Sequence, residues 1–235
     1  RLQASGRGFL GFEKIKTVDE QTGIETTTTY RQDFPFIGHP LTTEVRSAQG
    51  HLLSKAENTW KLKGYASSWG NTAKNSGTKA LGPLQPYIAQ SVEKTYELVL
   101  SNSSTPLTLL QTVTTDNVYD DYGNPTQITV TTEGGGKAFR KVTNNTYLAS
   151  GLDAVYSQSM GRLSQTTVTS ERDENGDGSY ELSSTRTSSF TYYTSGDLKG
   201  LLATETVEPG NSAFELTTSY SYDSFGNKVR AAVTD

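Results

Sequence analysis

Apolar and polar residues alternate along most of the chain, with turn-rich stretches between the alternating segments. Between residues 24 and 30, for example, Ile24, Thr26, Thr28 and Tyr30 fall on one side at a period of two. A period of two places alternate side chains on opposite faces of a β-strand. Gly23, just before this segment, suits the positive φ of a hairpin turn. The pattern therefore predicts β-hairpins.

Helical periodicity is hard to find in this sequence, and the best candidate, residues 86–100, is short. Residues 64–91 are rich in Gly, Ser, Asn and Pro and interrupt the alternation, so we predict a long loop or insertion there. We accordingly predict an all-β fold in which residues 1–235 form a single segment. Its consecutive hairpins are expected to build an extended, curved antiparallel sheet.

A turn that runs from tyrosine to glycine recurs four times in the second half of the chain. The two best copies read YDDYGN and YDSFGN, and the four tyrosines are successively 37, 36 and 30 residues apart. A period of this size indicates a repeat architecture. The predicted turn residues are Tyr119, Asp120, Gly123, Asn124, Tyr156, Gly161, Tyr192, Gly196, Tyr222, Asp223, Gly226 and Asn227.

The chemistry of this turn explains its residue types. Asp120 or Asp223 is placed to accept a hydrogen bond from the backbone N–H two residues later, and the glycine provides the left-handed conformation that closes the turn. An alternative is coincidental turn chemistry in an ordinary β-sandwich, because Asp, Gly and Asn dominate all hairpin turns.

Composition narrows the class of protein. Hydrophobic residues make up 33% of the chain, yet its 13 Tyr and 8 Phe are typical of folded sheets rather than disorder. The net charge of −4 argues against a nucleic-acid partner. No cysteine is present, which excludes disulfides and thiol chemistry. No stretch approaches the ~20 apolar residues of a membrane span, and the chain begins without Met or a signal sequence, so we expect a piece of a longer protein.

The stretch DENGDGSYE is the sharpest candidate for chemistry. Its spacing resembles a calcium loop, in which alternating oxygen ligands surround the ion and a glycine permits the sharp turn. A helical EF-hand is not expected, because Ser184 occupies the position of the bidentate Glu. The alternative is an acidic hairpin tip that only aids solubility. The candidate calcium ligands are Asp173, Asn175, Asp177, Ser179 (through its carbonyl) and Glu181.

Other candidates for chemistry are weaker, and we expect no enzyme. His39 and His51 each lie beside a turn and lack a carboxylate or serine at a telling spacing. Residues 133–137, EGGGK, lack the ending of a phosphate loop. Trp60, Trp69 and the tyrosines could instead form a carbohydrate-binding strip. An extracellular adhesion module that recognises a glycan or a cell surface is therefore the alternative function.

The YDxxGN turns and the Gly161–Leu163 turn resemble those of the Rhs or YD-repeat family of large bacterial proteins. Residues 6–41 are also similar to the stretch that opens the repeat region in the B component of insecticidal toxin complexes. The resemblance covers both ends of the chain and most of its middle, but not residues 64–91.

This resemblance implies a structural role in a secreted or cell-surface bacterial protein. Family members form a ribbon-like sheet that spirals into a hollow shell around a toxic polypeptide. The expected partners are the rest of such a polypeptide and its cargo. A slab of shell wall would expose sheet edges, so we also expect self-association through them.

Overall fold

The computed structural model describes residues 2–3, 8–64, 84–98, 108–120, 122–148 and 161–235, and every regular element in these ranges is a β-strand. A small two-stranded sheet pairs β1 (Leu2–Gln3) with β2 (Gly8–Phe9). The remaining strands are β3 (Lys14–Val18), β4 (Glu25–Tyr30), β5 (Pro40–Arg46), β6 (Leu52–Gly64), β7 (Leu84–Tyr96), β8 (Leu109–Tyr119), β9 (Pro125–Gly134), β10 (Lys137–Tyr147), β11 (Leu163–Asp173), β12 (Leu182–Tyr192), β13 (Leu202–Val207), β14 (Leu216–Tyr222) and β15 (Lys228–Thr234).

Strands β3 to β15 form one open, curved 13-stranded sheet in which each strand pairs with its neighbours in sequence. Neighbouring strands are antiparallel throughout, as expected for consecutive hairpins. The all-β prediction and the extended antiparallel sheet are confirmed. A β-sandwich would need a second large sheet, and the described strands outside this sheet are only β1 and β2.

The sheet is a single layer with little buried interior. Leu10 and Ala138 are the buried hydrophobic residues in the described part of the chain. The accessible surface of the chain is 15340 Å², whereas a compact monomer of this mass has about 10,400 Å². Backbone ladders and cross-strand side-chain pairs, rather than a packed core, therefore hold the strands together.

Strand register gives the two faces different chemistry. One face, which we call the threonine face, carries Thr129, Thr169 and Thr185 in one row across β9 to β12, with Val142 at the β10 position of that row. The opposite, aliphatic face carries most of the valines and isoleucines. One row of that face crosses ten strands through Ile15, Thr28, Thr43, Ala56, Glu93, Val113, Thr132, Phe139, Arg172 and Leu182.

Strand β7 corrects two sequence-based predictions. Residues 86–96, which belong to the helical candidate, lie in this strand. Residues 84–91, which belong to the predicted loop, lie in it as well. Pro86 is tolerated because it pairs only with β6, while β8 reaches no further than Gln90. A proline that lacks an N–H fits such an unpaired strand edge. Residues 65–83 of the predicted loop lie outside the described residues.

Candidate functional site

The C-terminal ends of the even-numbered strands lie along one side of the sheet, which we call the aromatic border. Its aromatic residues are Tyr30, Trp60, Tyr119, Tyr147, Tyr192 and Tyr222, on β4, β6, β8, β10, β12 and β14. The strand register shifts by one residue at each of them. Each border aromatic therefore lies at a β-bulge, a feature that locally bends and twists a strand.

Four border aromatics donate a hydrogen bond to a backbone carbonyl on the preceding odd-numbered strand. In every case the acceptor is the first residue of that strand, the residue that pairs with the previous border tyrosine. The pairs are Trp60 Nε1 to Pro40 O (2.8 Å), Tyr147 Oη to Pro125 O (3.0 Å), Tyr192 Oη to Leu163 O (2.9 Å) and Tyr222 Oη to Leu202 O (2.9 Å). We call this series the carbonyl ladder.

Two of the ladder hydroxyls lie where burial disfavours the ionised form. Burial raises the pKa of the Tyr147 hydroxyl and of the Tyr192 hydroxyl. Asparagines two residues before the border aromatic donate to a backbone carbonyl on three strands, and on β6 and β10 they add a second donor to a ladder acceptor. Their side-chain amides donate from Asn58 to Pro40 O (3.2 Å), from Asn117 to Ile88 O (3.1 Å) and from Asn145 to Pro125 O (2.9 Å).

The two YDxxGN turns have the same hydrogen bonds. In the first, Asp120 Oδ1 accepts from the backbone N–H groups of Tyr122 and Asn124, each at 2.9 Å, and Asn124 Nδ2 donates to Asp120 Oδ2 at 2.9 Å. In the second, Asp223 accepts the corresponding bonds from Phe225 and Asn227 at 2.8–2.9 Å. Each aspartate therefore clamps the whole turn, over four residues.

One glycine position is common to the turns along the aromatic border. The glycine lies two residues before the strand residue that pairs with the border tyrosine, at positive φ of 68–89°. This conformation favours glycine because it has no Cβ. The residues at this position are Gly38, Gly123, Gly161, Gly200 and Gly226.

The structure differs from the sequence-based prediction for the two turns predicted at Tyr156–Gly161 and Tyr192–Gly196. In the turn after Tyr192, the glycine equivalent to Gly123 is Gly200, although Gly196 also has positive φ, at 71°. Ahead of Gly161, the border residue is Tyr147, paired with Leu163. Tyr156 lies outside the described residues. The one signal that could have identified Tyr147 is Asn-x-Tyr, shared with residues 117–119.

The predicted calcium ligands lie at the end of β11 and in the loop that follows it, and three of them, Asp173, Asp177 and Glu181, come together. The Asp173 side chain is 2% exposed, and its carboxylate accepts the N–H groups of Gly176 (2.6 Å), Gly178 (2.9 Å) and Asn175 (3.2 Å). The loop packs on the β9–β10 turn, where a side chain at Gly176 would place its Cβ 2.5 Å from the Gly136 carbonyl oxygen.

The outer part of this loop is acidic and exposed. One carboxylate oxygen each from Asp173, Asp177 and Glu181 lies within 4.8 Å of the other two. Glu181 also accepts the Glu174 N–H at 3.0 Å, and Asp177 accepts the Ser179 N–H at 2.7 Å, which lowers the pKa of Asp177. These bonds explain the loop as a self-supporting turn. Calcium binding by Asp173, Asn175, Asp177, Ser179 and Glu181 stays a prediction.

The two histidines are placed by local contacts. The His39 ring lies edge-on to Trp60 with centroids 4.3 Å apart, and its Nδ1 is 3.1 Å from Phe36 O. His51 donates its backbone N–H to Ser47 Oγ at 3.2 Å. Residues 133–137 span the β9–β10 hairpin turn, with Gly135 and Gly136 at positive φ. Trp69 lies outside the described residues.

Comparison with known proteins gives distant structural likenesses. No family model and no curated protein matches the sequence. The chain is similar over 94% of its length to the crystal structure of TcdB2-TccC3-TEV, with 12% identity and a TM-score of 0.25, and spans 11% of that chain. It is also similar to a porin-like protein from Bacteroides uniformis ATCC 8492, with 15% identity, a TM-score of 0.20, and coverage of 94% and 89% of the two chains. Likenesses at this level carry no functional conclusion.

The described part of the chain holds no helix that is long and apolar enough to cross a membrane.

Proposed function

We propose that this chain is a wall segment of a larger bacterial β-shell of the Rhs or YD-repeat type, which encloses a toxic polypeptide. The proposal includes secretion or display at the cell surface, and no enzymatic role for the segment. Its work would be mechanical. The partners would be the rest of the shell polypeptide and the enclosed cargo.

The observation that carries the proposal is the single layer itself. Thirteen strands in strict sequence order leave both faces of the sheet partly exposed, and Leu10 and Ala138 are the buried hydrophobic residues of the described chain. A wall needs this arrangement, because each unit contacts its sequence neighbours and the layer grows by repetition. The carbonyl ladder supplies a connection that every further hairpin could repeat.

A second candidate function is glycan or cell-surface binding. Exposed aromatic rings favour it: the Tyr122 side chain is 56% exposed and that of Phe225 is 90% exposed. Both project from clamped YDxxGN turns on the same border of the sheet. Glycan binding that is lost in Phe225→Ala would support this alternative.

Thiol labelling of the natural full-length polypeptide tests the wall proposal. The present chain contains no cysteine, so a single cysteine introduced into it reports on one face once the labelling of the unmodified full-length polypeptide has been subtracted. Ser183 and Ser184 are adjacent, exposed residues of β12 whose side chains point to the threonine face and the aliphatic face, respectively. Ser183→Cys and Ser184→Cys are therefore a matched pair that differs only in the face it reports.

A closed wall predicts that a bulky maleimide reacts at least tenfold more slowly with one of the two cysteines than with the other. A small maleimide serves as the control and should label both at similar rates, because size is the property that a wall excludes. Equal rates with the bulky reagent, in a polypeptide that labels normally with the small one, would contradict the proposal.

A further inference from the structure

The register beside the carbonyl ladder follows one rule on four strand pairs. The residue three positions before the border aromatic pairs with the residue two positions after the carbonyl acceptor. The pairs are Glu57 with Thr42, Asn144 with Gln127, Ser189 with Gln165 and Ser219 with Thr204. The ladder therefore specifies which residues of two neighbouring strands meet, as well as the position of the aromatic residue.

The same rule can be applied to β15, the last strand of the sheet. Lys228 is the first residue of β15 and pairs with Tyr222, as Leu202 does with Tyr192. Its carbonyl is therefore equivalent to the acceptors of the ladder. Arg230 is the residue two positions later, and its side chain is exposed. In the described sheet β15 pairs with β14 alone, so its other edge is open.

We propose that the open edge of β15 binds an antiparallel strand of the form Asp/Glu-x-x-Tyr/Trp. The aromatic side chain of that strand donates to the Lys228 carbonyl, and its acidic residue pairs with Arg230. Continuity with the existing ladder fixes the position of the aromatic residue, and charge complementarity with Arg230 fixes the acidic one. This recognition requires only the edge and does not depend on an enclosed cargo.

The sheet's own edge strands do not fit this description. Strand β15 reads KVRAAVT and the opposite edge, β3, reads KIKTV, so both lack an aromatic residue. Each also carries two basic residues on alternate positions, and like charges opposite one another disfavour pairing. A second copy of the chain that offers either edge is therefore a poor occupant. Three strands of the described chain do carry the motif, as ENTW in β6, EKTY in β7 and DNVY in β8.

A synthetic peptide with the β8 sequence LLQTVTTDNVY, labelled at its N-terminus, tests the proposal against the whole chain by fluorescence anisotropy. Saturable binding is expected. Removing the hydroxyl by Tyr119→Phe in the peptide should weaken binding about fivefold, the effect of one hydrogen bond. Replacing the charge by Asp116→Asn should weaken it about threefold at low salt, as for an exposed ion pair.

A charge exchange locates the site on β15. The chain variant Arg230→Glu should bind the original peptide more weakly than the unmodified chain does. A peptide with Asp116→Lys should restore that affinity, while the urea midpoint of the variant stays unchanged because Arg230 is exposed. The proposal is overturned by an absence of saturable binding, by a scrambled peptide that binds equally well, by equal affinity of the Tyr119→Phe peptide, or by a charge exchange that restores nothing.

Discussion

A tyrosine of the carbonyl ladder connects three strands through one residue. Its backbone forms the bulge against the next strand, while its hydroxyl donates to the first carbonyl of the strand before. Phenylalanine could fill the same space but could not donate. Tryptophan can, and at position 60 the indole N–H takes the place of the phenol at 2.8 Å from Pro40 O. A donor at this position, rather than aromaticity alone, is therefore the common requirement.

Removing one ladder hydroxyl should destabilise the sheet. We expect Tyr192→Phe to lower the free energy of unfolding by about 1 kcal/mol, because a partly buried hydrogen bond to Leu163 O is lost. Tyr122→Phe is the matched control, since that ring is 56% exposed, and should change stability by less than about 0.5 kcal/mol. Urea unfolding of both variants measures the difference, and equal effects would contradict the ladder's role.

The clamp in the second YDxxGN turn predicts a specific titration. The pKa of Asp223 is lowered from its ordinary value of 3.8, first by the Asn227 side-chain amide and then by the Asn227 backbone N–H. Since the folded pKa lies below the unfolded one, the carboxylate stabilises the turn above pH 3.8. That contribution is lost as the pH falls through the folded pKa.

Carboxyl-carbon NMR titration can test the cause of this shift. Asn227→Ala should raise the pKa of Asp223 toward 3.8, because the largest stabilising hydrogen bond is gone. Asn124→Ala, the same change in the first YDxxGN turn, should leave the pKa of Asp223 where it is. An Asp223 pKa that does not respond to Asn227→Ala would show that the amide does not clamp the carboxylate.

At the scale of the element, the hairpins share one turn rule but differ in length. Five residues separate Tyr222 from its partner Lys228, whereas 15 separate Tyr147 from Leu163. The sequence identifies the short turns because Tyr, Asp, Gly and Asn fall within six letters. It does not identify Tyr147, because the spacing from tyrosine to glycine is not constrained when the loop is long. Trp60 is missed because it is not a tyrosine and because Gly64, four residues later, lies in β6 itself rather than in a turn.

The acidic loop depends on Asp173. We expect Asp173→Asn to lower the free energy of unfolding by about 1–3 kcal/mol. The asparagine amide keeps only one of the two oxygens that accept backbone N–H groups, and the site is buried. Asp177→Asn, at an exposed position of the same loop, should cost much less. Urea unfolding gives the cost, and amide exchange of residues 174–181 should quicken in the first variant only. Similar behaviour of the two variants would exclude an anchoring role for Asp173.

Calcium binding is tested separately from loop stability. Isothermal titration with Ca²⁺ should give heat at millimolar metal or below if the clustered carboxylates hold the ion, and Glu181→Gln should weaken that signal because it removes one charged ligand. The same titration into Arg230→Gln, far from the loop, is the control. Absence of heat at millimolar Ca²⁺ would contradict calcium binding and favour the alternative, an acidic hairpin tip that binds no ion.

At the scale of the whole molecule, the sheet class follows from the sequence because Thr- and Tyr-rich alternation fits strands with two unlike faces. The length of β7 could not be predicted in the same way. Its N-terminal part contains Pro86 and forms a strand because it pairs with β6 on one side only. That pairing depends on a distant strand, so the local sequence carries no sign of it. The register shifts at the border likewise appear only once neighbouring strands are paired.

The charges on the two edge strands of the sheet affect self-association of the whole molecule. Each edge strand carries two basic residues, Lys14 and Lys16 on β3 and Lys228 and Arg230 on β15. Lysine on an edge strand is a common protection against edge-to-edge pairing. We therefore expect edge-to-edge self-association to be weak at low salt and to strengthen as salt screens these charges. Sedimentation velocity over a range of protein and salt concentrations measures this, and salt-induced dissociation would contradict it.

Electron cryomicroscopy of the natural full-length polypeptide tests the central claim most directly. We predict that strands β3 to β15 appear as one continuous layer, with one face toward a closed cavity and β15 paired to a further antiparallel strand. Residues 8–235 folded instead against a second sheet, or a layer with both faces open to solvent, would contradict the account.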